Sequence, residues 1–459
     1  MGWQDYYRGR LLTEHEVEAT WKINHLDREV SLDEIKGQLF SIAGILVKGR
    51  SICCQRCHNQ DKNRFYPLPD GRNCYCLNCI QMGRVTTQDL LYFLKASDFY
   101  RPRKTCLTWN GSLSDQQEKA SQQAIHSLND CQRPHLIHAV TGAGKTEMLF
   151  AVMDHVLMRG GRVAIASPRI DVCLELAPRI RSAFSGLDLC LLYGGSKERY
   201  LPQPILILTT HQLLRFKQAF DLLIVDEVDA FPYVNSDSLH FAVNRSIKDQ
   251  GKLIFLTATP DDVLKKAIKQ GKVTHTLLPA RFHGYPLPEV RMVWIGRWQQ
   301  AIEKEQMDSI LLAELVKFIQ LEGVCLIFMA NIAYAEKLSA WLSRLFPDDS
   351  IRSVHAQDPY REAKVRDVRL GKIRILITTT ILERGVTFEN CHVFVLGAED
   401  PLFNRASLVQ MSGRVGRKEK FPTGVLIYGH YGITRAMKEA AKEIKQMNQL
   451  ARTAGLLKG

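Results

Sequence analysis

Lys145 and Thr146 close the run Ala139-Val140-Thr141-Gly142-Ala143-Gly144-Lys145-Thr146, a set of residue types suited to holding a nucleoside triphosphate. Small residues let successive backbone N–H groups close around phosphates. A Lys ammonium reaches the β- and γ-phosphates, and a Thr hydroxyl ligates Mg²⁺. The usual leading glycine is replaced by Ala139, but an apolar strand pattern over 135–140 precedes the loop and a helical pattern over 147–158 follows it. Further on, the nearly apolar run 220–225 delivers Asp226-Glu227-Val228-Asp229. Asp226 suits the Mg²⁺ shell, and Glu227 suits orientation of the water that attacks in phosphoryl transfer. A third group lies in Gln410-Met411-Ser412-Gly413-Arg414-Val415-Gly416-Arg417, where Arg414 and Arg417, three residues apart, are expected to share a helix face and to act as arginine fingers in cis.

A different chemistry is written in the cysteines. Six of the twelve fall between Cys53 and Cys79, and Cys54, Cys57, Cys76 and Cys79 form C-x2-C-x18-C-x2-C. Each knuckle aims two thiolates at one ion from a tight turn. Two knuckles close a tetrahedral Zn²⁺ shell with no open position, so the expected role is structural. Cys53 and Cys74 are spare, and either is placed to take a neighbour's position as ligand. The segment between the knuckles, with Pro67, Pro69, Asp70 and Gly71, reads as short strands around a turn. Cysteines clustered in this way point to metal rather than to a disulfide framework.

The elements that must position these groups read as alternating strands and helices. Strand patterns at 162–167, 187–193, 204–210 and 252–257 surround the first two motifs, and a second series follows at 324–329, 351–355, 373–378, 393–396 and 425–428. Such alternation predicts α/β architecture with parallel sheets. The second series has no phosphate loop of its own, so it is expected to complete a nucleotide site built on the first. The expected organisation is an N-terminal region over 1–110 with a zinc module at about 51–82, a linker around 100–111, a nucleotide-binding lobe over 111–285 and a second lobe over 286–459.

Length and composition agree with several ordinary globular domains: 459 residues, 46% hydrophobic and 24% charged. No run of 18 or more apolar residues and no signal-peptide pattern occurs, which places the expected location in the cytoplasm. A formal charge of +13 favours a polyanion or an anionic membrane surface as partner. The stretch 434–458 sets Lys438, Lys442, Lys445 and Arg452 around Met437, Ala441, Ile444 and Leu450. This reads as a basic amphipathic helix able to pack on its own domain or dock peripherally on the inner face of the cytoplasmic membrane.

The motif order across residues 113 to 430 resembles that of superfamily-2 helicases with two RecA-like lobes, and the wording of the loop and of 410–417 is similar to primosomal PriA and RecG-like DNA helicases. A four-cysteine module ahead of such a core resembles the ComFA family, late-competence ATPases of Gram-positive bacteria. The resemblance implies that Gln117 contacts adenine and that Thr257-Ala258-Thr259-Pro260 couples hydrolysis to lobe movement. It implies strand contacts from Pro168, Arg169, Thr209, Thr210, Thr378 and Thr379, with Glu383-Arg384-Gly385 beside them. It further implies an ATPase stimulated by single-stranded DNA, driving uptake of transforming DNA alongside other competence proteins, with ATP, Mg²⁺ and Zn²⁺ as cofactors. The rival readings are a replication-restart or recombination DNA helicase, an RNA helicase, and a zinc-dependent docking scaffold with little turnover.

Overall fold

The computed structural model describes residues 2–96, 105–196, 199–383 and 388–458. Residues 100–104 of the expected linker and the pair Arg384-Gly385 lie outside them. The chain divides into two compact units, one of residues 1–137 with 146–276 and the other of residues 138–145 with 277–459.

The first unit is organised on a seven-stranded sheet in the order Leu189–Leu192, Ile205–Thr209, Val163–Ser167, Phe220–Asp226, Ile247–Thr257, His135–Ala139 and Thr274–Leu278. The register of its central strands is parallel, with Thr209 beside Ser167 and Asp226 beside Leu256. Val163–Ser167 and Ile205–Thr209 are buried throughout, as expected of strands covered on both faces. Each central strand ends on a polar motif residue, Ser167, Thr209, Asp226 or Thr257. The sheet therefore presents its chemistry along its carboxyl edge, where open α/β sheets bind ligands.

Ahead of this sheet the chain builds an α+β module. The helix Glu14–Ile23 starts in a capping box in which Thr13 accepts from the Glu16 amide while the Glu16 carboxylate accepts from the Thr13 amide. A three-stranded antiparallel sheet orders Leu11–Thr13, Leu90–Phe93 and Phe40–Ala43. Two hairpins, Ile45–Lys48 with Ser51–Cys54 and Phe65–Pro67 with Cys74–Cys76, carry the cysteines. One hydrophobic core is continuous from Cys54, Met82 and Leu91 of this module to Leu213, Phe216 and Phe220 of the sheet domain. Residues 105–108 do not form a free tether. The Cys106 and Leu107 amides donate to Asp154 Oδ1 at 2.7 and 3.1 Å, and the Thr108 amide donates to the Ala183 carbonyl at 2.8 Å.

The second unit is built on a six-stranded parallel sheet in the order Arg291–Trp294, Leu426–His430, Cys391–Leu396, Val324–Phe328, Ile375–Thr378 and Ile351–Val354. Two parallel-sheet RecA-like lobes with an N-terminal four-cysteine module are thus the architecture of the chain. The last helix, Arg435–Thr453, buries Met437, Ala440, Ile444, Met447 and Ala451. The apolar stripe expected along Ala441 and Leu450 is shifted, and Leu450 is exposed. Packing on its own domain occupies the apolar face and leaves Lys438, Lys442, Lys445 and Arg452 in solvent.

Candidate functional site

In the first unit the strand Phe220–Asp226 carries the acidic pair to the sheet edge. Glu227 follows in the left-handed region at φ 56°, a conformation that costs a non-glycine residue about 1–3 kcal/mol and persists where surrounding bonds enforce it. Those bonds are present. The Glu227 amide donates to Asp226 Oδ1 at 2.8 Å, the Ala230 amide donates to the Glu227 carbonyl at 2.8 Å, and the Val228 amide donates to Leu256. Below this edge, burial foremost, and then the carboxylates of Asp226 and Glu227, push the Cys173 thiol up to about 12. A local field of that sign is one a divalent cation answers, and Thr146, buried in the same unit, supplies the hydroxyl type that Mg²⁺ takes.

Asp229 is bonded to the segment expected to sense hydrolysis. Thr257 Oγ1 donates to Asp229 Oδ1 at 2.6 Å, Thr259 Oγ1 donates to Oδ2 at 2.5 Å, and the Thr259 amide donates back to Thr257 Oγ1 at 2.9 Å. Both carboxylate oxygens are thereby tied to one turn, so a shift of the acidic loop must drag residues 257–259 with it. Gln117 lies third in the helix Asp115–Ser127, and its Oε1 accepts from the Ser114 amide at 2.9 Å in a capping box. The residue type expected at adenine thus also holds the start of its own helix. At the same sheet edge Pro168, Thr209 and Thr210 are buried, while Arg169 and His211 are half-buried.

In the second unit the loop 138–145 turns on Gly142 and Gly144, whose φ values of 83° and 73° L side chains rarely adopt. Ala139, Val140, Thr141 and Ala143 are buried, and Lys145 is half-buried. The Phe282 amide donates to the Gly142 carbonyl at 3.1 Å. Gln410 lies on the helix Arg405–Ser412, started by Asn404, whose side chain accepts from the Ser407 amide at 2.9 Å.

Arg414 and Arg417 do not share a helix face. The helix stops at Ser412 and the chain turns through Gly416 at φ 65°, so their three-residue spacing is that of a turn. Arg414 is buried and donates from Nε to the Glu383 carbonyl at 3.1 Å, while Arg417 is half-buried. Thr378 and Thr379 are buried at the end of the strand Ile375–Thr378. Arg281, absent from the sequence reading, is buried and donates to the Gly416 carbonyl at 2.6 Å. Burial, and then Arg417, lower its guanidinium to about 9. No spacing in the sequence ties it to that loop.

The four sulfurs of Cys54, Cys57, Cys76 and Cys79 converge within 4.8 Å of one another, all buried, with Cys54 to Cys79 at 3.7 Å and Cys57 to Cys76 at 3.5 Å. A tetrahedron of Zn–S bonds of about 2.3 Å has an edge of about 3.8 Å, so the donor set fits Zn²⁺. The spare thiols sit outside this cluster. Cys53 Sγ lies 3.6 Å from His58 Nδ1, and Cys74 is only partly buried.

A zinc tetrathiolate shell would carry a net double negative charge, and two guanidinium groups, the buried Arg56 and the half-buried Arg245, stand beside the cluster. Arg56, inside the first knuckle, has Nε and one terminal nitrogen buried without a partner. Arg245 donates to the carbonyls of Gln55, Arg56, Leu214 and Phe216 at 2.6–3.1 Å and so ties the knuckle to the sheet domain. Burial, and then Arg56, lower Arg245 to about 10, while the cysteine sulfurs oppose that shift. Docking of the module also runs through Glu16, whose Oε1 accepts from Arg56 at 2.8 Å and from Arg215 at 2.6 Å. None of these docking roles was visible in the sequence.

Three family models match the chain: the competence protein ComFA N-terminal domain at residues 3–93, the DEAD/DEAH box helicase at 115–267 and the helicase conserved C-terminal domain at 309–419. Competence protein ComFA of Streptococcus pneumoniae (strain ATCC BAA-255 / R6) is 42% identical over 446 residues, covering 97% of this chain and 98% of that protein. Its counterpart in Bacillus subtilis (strain 168) is 40% identical over 447 residues, covering 95% and 96%. Among solved structures, Dbp5 of S. cerevisiae bound to RNA and ADP BeF3 aligns with a TM-score of 0.54 at 16% identity, covering 73% of this chain and 88% of that one. That last likeness bears on the fold alone.

Proposed function

The chain belongs to the competence protein ComFA family and is an ATP-hydrolysing enzyme of helicase superfamily 2, and from that premise we propose that it translocates single-stranded DNA to drive uptake of transforming DNA. The observation that carries this reading is the bonding of Asp229 through both oxygens to Thr257 and Thr259, directly after the acidic pair. A motor needs such a link, and a static nucleotide-binding scaffold does not.

In the proposed cycle the loop amides from Val140 to Gly144 and the Lys145 ammonium hold the triphosphate, with Gln117 at the adenine. Thr146 and Asp226 would hold Mg²⁺, which would supply positive charge to answer the triphosphate. Glu227 orients the attacking water, and its constrained backbone spares reorganisation at the moment of reaction. Arg414 and Arg417, with Gln410 on the helix that precedes them, answer the charge that develops on the transferred phosphoryl group. Displacement of Asp229 carries residues 257–259 with it. Contacts at Pro168, Arg169, Thr209, Thr210, Thr378 and Thr379 then shift along the strand. Four of these residues are buried threonines, which favours phosphate contact through turn amides rather than base reading. Cys54, Cys57, Cys76 and Cys79 would hold Zn²⁺ as a structural ion. Other competence proteins would hand over the strand. No helix among the described residues is long and apolar enough to cross a membrane.

The test is steady-state ATPase activity with no nucleic acid, single-stranded DNA, blunt duplex, forked duplex and RNA, with Lys145→Ala as the blank. Selective stimulation by single-stranded DNA is expected. A preference for forks assigns a replication-restart or recombination helicase instead, RNA-only stimulation removes DNA as substrate, and turnover that survives Lys145→Ala removes the phosphate-loop assignment.

A further inference from the structure

The first unit contains a charged cavity of about 530 Å³ that the motor motifs do not explain. Its walls come from the helix Glu14–Ile23, the exit of the strand Leu189–Leu192, Ser196, Arg199, Tyr200 and the turn Thr210–Arg215. Arg10, Arg199 and Arg215 line it, and Glu16 is the one acid among its described lining residues.

That single carboxylate is already saturated. Oε1 accepts from Arg56 and Arg215, and Oε2 accepts from the Thr13 amide at 3.0 Å and the Thr13 hydroxyl at 3.3 Å. Both Glu16 oxygens are thus spent on other donors, and the carboxylate acts on Arg10 through its field rather than through a hydrogen bond. Arg10 is 7% exposed, its guanidinium lies 4.1 Å from the centroid of the Tyr200 ring, and one terminal nitrogen reaches Thr20 Oγ1 at 3.4 Å. Nε is buried with no partner at all. A guanidinium held out of water in this way is costly unless something anionic answers it. Its backbone is fixed as well, by a single antiparallel bridge between Arg10 and Phe216. Arg199 stands at the cavity mouth, exposed, with one terminal nitrogen on the Ile23 carbonyl at 2.6 Å.

We propose that this cavity is an anion site for a phosphate ester, with Arg10 as its buried anchor and Arg199 at its rim, and that a backbone phosphate of the single strand supplies the ester. The volume fits a nucleotide-sized group. The wall residue Gln212 follows directly on Thr209-Thr210-His211, so a strand tracking the sheet edge passes the opening. Guanidinium, aromatic ring and neutral amide together are the groups that hold single strands without reading sequence. The N-terminal module would then extend the strand path of the first lobe rather than only brace it. The choice of strand over free nucleotide rests on the function proposed above.

The test uses the full chain and a fluorescent oligo(dT) followed by anisotropy across a salt series, with Arg10→Gln, Arg10→Lys and Arg199→Gln compared with the unaltered protein. Melting temperature and circular dichroism confirm that each variant is folded; Arg199 is exposed, so at least that variant is expected to be. Arg10→Gln and Arg199→Gln should each weaken binding about fivefold or more. Each should also flatten the dependence of log K on log salt by about 0.7, the loss of one phosphate contact on a single strand. Arg10→Lys should retain the slope and lose part of the affinity, because charge survives and the fork does not. Unaltered affinity and slope in folded Arg199→Gln and Arg10→Gln overturn the site. Stabilisation of the unaltered protein by millimolar dTMP or inorganic phosphate, lost in Arg10→Gln while strand binding is unaltered, overturns the strand as the source. Failure of the unaltered protein to bind oligo(dT) overturns the strand source together with the translocase reading, whereas binding that ignores both arginines overturns this inference alone.

Discussion

Replacing Glu16 by Gln removes the one charge that two guanidinium groups share. Burial alone would raise its carboxyl, but Arg56 and Arg215, with the Thr13 amide, outweigh burial and hold it at about 2 against an ordinary 4.5. A depressed carboxyl contributes stability that is present above its unfolded value and is lost as pH falls through the folded one. The difference corresponds to about 3 kcal/mol at pH 7, of which about half remains at pH 3. The geometry gives a compatible figure, since Arg56 is fully buried and loss of a buried ion-pair partner costs up to about 3–5 kcal/mol, a cost that the neighbouring thiolates would lower. For a unit of this size, Tm should fall by about 6–14 °C at pH 7. Thermal unfolding of the full chain, followed by fluorescence at pH 7, 5, 4 and 3, should show the penalty of Glu16→Gln shrinking as pH drops below about 4.5. A penalty under about 2 °C at pH 7, or one that does not change with pH, would refute the ion-pair reasoning.

Arg417→Ala should retain binding of a fluorescent ATP analogue while hydrolysis falls roughly 10³-fold or more; equal loss of binding and turnover would make the residue a ground-state contact. Asp229→Asn should leave the KM for ATP within about twofold and lower DNA-stimulated kcat about tenfold or more, and full stimulation in that variant would remove the link to Thr257 and Thr259. Cys76→Ser should drop the zinc content measured by atomic emission and lower Tm, whereas Cys53→Ser and Cys74→Ser should do neither; zinc retained by Cys76→Ser would reject the four-sulfur set.

What could be read from the sequence was whatever is encoded by local spacing. The run ending in Lys145-Thr146, the apolar strand before Asp226 and the two cysteine knuckles each lie within a few residues, so their periodicity survives without a structure. The doubly wound alternation was legible for the same reason. Arg414 and Arg417 show the limit of spacing: three residues imply one helix face only if the helix continues, and Gly416 ends that continuity. In the last helix the chosen stripe ran through Ala441 and Leu450, but packing selects Ala440 and Met447, a rotation that an alanine-rich pattern does not resolve. Glu16, Arg215 and Arg245 could not be found at all. Their partners lie across 199 residues for Glu16 and Arg215 and about 190 for Arg245 and Gln55, distances over which no pattern operates.

Zn²⁺ held by the four cysteines would, through the core that the cysteine module shares with the first lobe, make metal supply a determinant of how much ATPase folds. Leu213, Leu214, Phe216 and Phe220 would be stripped of cover in a chain lacking residues 1–93, so such a truncation reports aggregation rather than the module's contribution to DNA handling. By the same continuity, free energy released when an ion binds the four sulfurs counts toward the folding of the lobe that bears Asp226 and Glu227. With zinc as that ion, a cell short of zinc would hold fewer competent copies of the ATPase even though the four sulfurs take no part in hydrolysis, because unfolded chains are removed by proteolysis.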